Sequence, residues 1–193
     1  MFKHACLLVL MALTLCGNVA VAHAAECRGI DFPDQVQIEG STLTLNGLGM
    51  RKATFLKINV YVAALYVART SKDPDVIIGS NTPKELILHF VRDVDGSDLA
   101  DAWDEGFAKN AKTQLSALKE RIATLKGWMA DVKTGQQLIF EFKPGSGIQV
   151  ATDGAVKGTI KGDDFAQVLL SIWLGADPPN PEVKAGLLGG SCS

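Results

Sequence analysis

The sequence predicts an α+β domain, one large antiparallel sheet with helices packed on one face. Three observations carry this. Strand-like runs come first, helical periodicity follows, and three short strands and closing helices end the chain, which is not the βαβ alternation of a parallel sheet. Residues 42–67 read as two long strands joined by a short polar turn, and Val60, Tyr61, Val62 and Tyr66 suit a pleated, buried surface. Asp153-Gly154, set between two alternating runs, is the strongest short hairpin signal in the chain.

The elements follow in order. Residues 32–38 read as an entry strand. In the first long strand Gly47 and Gly49 interrupt the pattern, which predicts a bulge or a close approach to the backbone. Residues 55–67 are apolar on both faces, as in a central strand covered on each side. Asp73-Pro74 caps a short helix. Residues 84–91 alternate, with Leu86, Leu88 and Phe90 facing one way and Ile87, His89 and Val91 the other. Ser97 is read as the cap of a helix over 97–111, whose face carries Leu99, Ala102, Trp103, Gly106, Phe107 and Asn110. A second helix, 114–125, turns Leu115, Leu118, Ile122 and Leu125 inward. Residues 137–160 form a three-strand meander. A buried helix over 165–174 ends at Gly175, and prolines lead to a short last helix ending at Leu188.

Residues 1–24 read as a cleaved signal peptide: Lys3, an apolar run over 5–15, and the small residues of Ala22-His23-Ala24. A single domain over 25–193 follows, and the protein is expected to be periplasmic or secreted. No later stretch approaches 18 apolar residues, so no integral membrane segment is expected. The leader holds one of the 19 Lys+Arg and none of the 21 Asp+Glu, leaving about −3 on the remainder. That balance argues against nucleic acid and against an anionic lipid surface. Two of the four cysteines leave with the leader; Cys27 and Cys192 remain, and an oxidising compartment would join them. No metal or cofactor motif is present: no C-x-x-C, no H-x-x-x-H, no G-x-G-x-x-G, no G-x-S-x-G.

Arg51 stands out among apolar neighbours. It keeps its charge and carries five donors, so it serves either as a ligand anchor or as a surface or salt-bridged arginine, paired with an acid on the following helix. Trp103 and Asn110, two helical turns apart with Phe107 between, either line an apolar cavity or pack the helix on the sheet, with Asn110 bonded to backbone. Pattern alone favours packing. Trp173 and Ile172 read as core, His89 as a satisfied core or rim histidine, and Ser171 has no base partner.

Three runs carry a resemblance: LNGLGMRKATFLKINVYVAALYV, FKPGSGIQVATDGAVKGTIKGDDFAQVLLSIWLG and PNPEVKAGLLG. They are similar to the bacterial chalcone isomerase-like family of secreted proteins, most specifically in the G-x-G-x-R strand and the F-x-K that follows. The resemblance implies an open-faced β-sandwich whose sheet–helix cleft holds flavonoids in plant enzymes and fatty acids in related plant proteins. Arg51 matches the arginine that holds the phenolate. The helical tyrosine–asparagine pair falls on Trp103 and Asn110, so a hydroxyl is lost; the last-helix threonine falls on Ile172, and the strand threonine on Tyr61 or Asn59, with Tyr61 favoured. Arg51 and Tyr61 would be the catalytic residues of an isomerase. The implied ligand wall is Arg51, Tyr61, Trp103, Phe107, Asn110 and Ile172. Binding of a small amphiphilic acid or phenol, without a cofactor, is the expected function. A lyase acting on a phenolic enone and an interaction module with a filled cleft are the alternatives.

Overall fold

The computed structural model describes residues 24–53 and 56–192. The expected leader falls on residues outside these, except Ala24, which begins the first strand. Strands β1 (Ala24–Cys27) and β2 (Ile30–Pro33) form a small hairpin. Seven further strands form one antiparallel sheet in which every strand lies beside its neighbour in sequence: β3 (Gln35–Ile38), β4 (Ser41–Ala53), β5 (Ile58–Val67), β6 (Lys84–Phe90), β7 (Gln137–Lys143), β8 (Gly147–Thr152) and β9 (Ala155–Ile160). The helices are α1 (Pro74–Gly79), α2 (Gly96–Asn110), α3 (Leu115–Gly127), α4 (Asp163–Leu174) and α5 (Pro181–Leu187).

Strand pleat sorts the core into two layers. Tyr61, Ala63, Leu65, Leu86, Leu88 and Phe90 face the helices, and all five helices bury side chains against that side. Val62, Ala64, Tyr66 and Ile87 face the other way, against Cys27 and Phe32 of the small hairpin. β5 is therefore covered on both faces, as its unbroken apolar run requires. The Cys27–Cys192 disulfide, with Cα atoms 5.9 Å apart, closes this second layer. Asp153 (φ 50°) and Gly154 (φ 78°) make the hairpin turn between β8 and β9, both central residues left-handed.

Three local expectations are corrected. The entry strand over 32–38 is two strands in different sheets, because the chain leaves the hairpin at Pro33 and enters the large sheet at Gln35. Asp95, not Ser97, occupies the N-cap position of α2; it makes no side-chain cap, and Asp131 instead accepts from the Gly96 amide at 2.9 Å. Leu115 is 39% exposed rather than inward: it is the first residue of α3, directly after a 3-10 turn over Lys112–Gln114, and the buried face begins at Leu118.

The two glycines of β4 show both features expected of them. A register shift between Leu45 and Gly47 makes Asn46 the extra residue of a bulge. α5 then lies backbone to backbone on the strand: a Cβ on Gly47 would sit 2.1 Å from the Gly186 carbonyl oxygen, and one on Gly49 2.4 Å from that of Val183. Asn46, re-aimed by the bulge, donates to Leu187 O (2.7 Å) and Ser71 O (3.0 Å) and accepts from Ser71 N (2.8 Å). Nothing in the pattern of the sequence marked that asparagine.

Candidate ligand cleft

A second register shift lies between Arg51 and Lys52, where Val60 becomes the extra residue of β5. Bulges re-aim side chains, and here both Val60 and its neighbour Tyr61 line one cavity between the sheet and helices α2 and α4. The cavity is about 370 Å³, within the range of about 300–1,000 Å³ usual for small-ligand pockets. Its walls are mainly apolar: Val60, Leu88, Val94, Leu99, Trp103, Ile172 and Trp173. Gly106 lets the helices close on each other, since a Cβ there would meet the Ile172 side chain at 3.0 Å.

Arg51 and Tyr61 are directly paired across β4 and β5, so they project from the same face into the cavity. The Arg51 Nη1 donates to the Lys52 carbonyl. Neither Arg51 nor Arg92, the other arginine of the lining, forms an ion pair among the described residues. The salt bridge offered as an alternative for Arg51 is thus not made. Of the four acids in the lining, Asp93, Asp98, Glu105 and Asp177, two are occupied, as is the lysine. Glu105 pairs with Lys109 at 2.5 Å, and that bond holds its carboxyl below the usual range. Asp93 accepts from the Thr134 amide (2.9 Å) and pairs with Lys133 (3.1 Å), and those contacts pull its carboxyl down.

Tyr61 is buried, and its hydroxyl accepts a 2.9 Å hydrogen bond from the Trp173 indole Nε1. Burial pushes the phenol above its ordinary value, against the opposing pulls of the Trp173 bond and the Arg51 charge. It is therefore a neutral donor at ordinary pH, not a phenolate base. Trp103 packs edge to face on Phe140 and Trp173, and its buried Nε1 has no hydrogen-bond partner among the described residues.

Of the six residues expected at the site, four line the cleft: Arg51, Tyr61, Trp103 and Ile172. Phe107 and Asn110 do not. Phe107 is fully buried against Phe165 and borders a separate groove between α2 and α3. Asn110 donates to Gly106 O (3.0 Å) and Asp177 O (3.3 Å), fastening the end of α2 to the loop after α4, as the packing alternative supposed. His89 lies on the opposite face of the sheet, beside Gln137 and Phe32. The sequence reading missed the polar role of Trp173. The available signal was that a buried indole N–H needs an acceptor.

This sheet, helix layer and cleft define a class of small-molecule-sized pocket on a meander sheet. The chalcone isomerase-like family model matches residues 24–189, and the chain belongs to that family. Among solved structures 38 chains match. One is a crystal structure of an Arabidopsis thaliana fatty-acid binding protein, with a TM-score of 0.67 at 18% identity over 83% of this chain and 92% of that one. No curated protein sequence matches. At that identity the structural likeness speaks to the fold.

Proposed function

We propose that the chain is a periplasmic or secreted binding protein for a small amphiphilic acid, held by its anionic oxygen at Arg51 with its apolar body along Trp103, Leu99 and Ile172. One observation carries this reading: an arginine that forms no ion pair among the described residues, set beside a neutral phenol, in a cleft whose walls are mainly apolar and whose other charged groups include Arg92. A guanidinium forks onto a carboxylate or phenolate in a way no neutral group matches. The similar plant structure, titled a fatty-acid binding protein, supports a fatty acid over a flavonoid-like phenol. The Cys27–Cys192 bond fits an oxidising compartment and hence removal of residues 1–24 as a leader. Among the described residues no helix is long and apolar enough to cross a membrane.

Isomerase chemistry is the weaker reading. Ring closure needs positioned water or hydroxyls beside the cation. By the resemblance, Trp103 and Ile172 fall where the plant enzymes carry hydroxyls, which leaves the Tyr61 hydroxyl beside Arg51 as the one candidate for that chemistry. An open cavity also speaks against a cleft filled by its own tryptophans.

Native mass spectrometry of the protein purified from its own compartment, with extraction of any small molecule, tests the proposal. A stoichiometric acid or phenol that is absent from a folded Arg51→Ala variant is the expected result. Equal retention by variant and wild type would overturn it.

A further inference from the structure

The bond between Trp173 and Tyr61 sets the polarity of the cleft. An indole nitrogen can only donate, so in this pair the Tyr61 oxygen is the acceptor. A phenol has one proton of its own, and that of Tyr61 meets no acceptor among the described residues, although the side chain lines the cavity beside Arg51. Trp173 is 1% exposed, and its ring is wedged against Trp103 and Phe140, so its N–H cannot swing elsewhere without repacking the core. A tyrosine free of such a partner could either donate or accept. Here one role is already taken.

We propose that Trp173 is the positioning residue of the cleft: by occupying the Tyr61 oxygen as a donor, it turns the Tyr61 proton toward the ligand. The cleft then presents a fixed donor beside the Arg51 charge, and because a hydrogen bond to a charged oxygen is stronger than one to a neutral carbonyl, it favours a carboxylate over the matched neutral ester. This inference rests on the anion-binding reading above. It assigns to a residue of the last helix a part in specificity that its burial alone would class as packing.

The test uses the full mature chain, oleate and methyl oleate as probes, and the variants Trp173→Phe and Tyr61→Phe. Phenylalanine keeps an aromatic ring at position 173 and removes the N–H. A hydrogen bond to a charged group is stronger than one to a neutral group, and part of it should be lost when the donor is no longer oriented. Trp173→Phe should therefore weaken oleate about 3- to 10-fold and methyl oleate by less than about 2-fold. Tyr61→Phe should do at least as much, and the double variant no more than Tyr61→Phe alone. Equal weakening of both probes by Trp173→Phe would overturn the positioning role and leave Trp173 as wall. A wild type that binds neither probe would overturn the anion-binding reading itself. Should Trp173→Phe fail to fold, the indole N–H resonance of Trp173 supplies a second measurement. It should shift, and exchange faster with solvent, in Tyr61→Phe; an unchanged resonance would sink the proposal.

Discussion

At the scale of single residues, the cleft and the far side of the sheet respond to pH for different reasons. Tyr61 stays protonated because burial disfavours its anion, so affinity for a carboxylate should hold level from pH 6 to 8. A fall in oleate affinity across that range would show that another group titrates in the cleft. Glu85 lies on the opposite face, directly across from Glu141. Burial first, and then that like charge, push its carboxyl from 4.5 up to about 7. The native state therefore keeps a proton that the unfolded chain has already released between those values, and stability falls as pH rises through that window. Allowing for solvent screening, the effect is about 2 kcal/mol at most. Glu85→Gln should raise Tm by about 4–8 °C at pH 8 and leave it nearly unchanged at pH 4.5; equal shifts at both would count against this account. Arg51 could be found from sequence because a charge in an apolar run is conspicuous. The Trp173 contact could not, because its partner is 112 positions away.

At the scale of elements, the tightest fit is α5 on β4. A Cβ on Gly47 or Gly49 would run into backbone atoms of α5, and one on Gly186 would sit 2.2 Å from Leu48 O. Gly47→Ala should cost more than about 2 kcal/mol, measured by denaturant unfolding, and should speed amide exchange in α5 before the rest of the molecule. Uniform exchange would place the strain elsewhere. The strands and helices were largely legible because periodicity is local: β6, β7 and the β8–β9 turn follow their patterns closely. The misses have nonlocal causes. Ser97 lost the cap position to Asp95 while distant Asp131 took the Gly96 amide, and Asn110 turned to the loop after α4, which no helical wheel contains. Phe107 lies on the same face of α2 as Trp103, yet one turn further along that face meets Phe165 rather than the cavity.

At the scale of the whole molecule, the second core layer depends on a hairpin of two four-residue strands held to the sheet by Phe32, Tyr66 and a covalent bond. The Tyr66 hydroxyl donates to Pro33 O at 2.9 Å, one polar link across that layer. The disulfide closes a loop spanning 165 positions; chain entropy alone would assign so long a loop about 5 kcal/mol, against about 2–4 kcal/mol for a typical disulfide. Cys27→Ser should lower Tm by several degrees in oxidising buffer and leave it unchanged against reduced wild type; an unchanged midpoint in oxidising buffer would argue that the hairpin holds without it. The same bond brings Cys27 and Cys192, near the two ends of the described residues, to one point on the hairpin side, while the cleft opens among the helices on the other. A tether, a fused partner or a surface linkage joined at either extremity would thus leave the mouth of the cleft unobstructed. A circular permutant that joins the old ends and starts anew at the exposed turn between β8 and β9 should fold around an intact cavity.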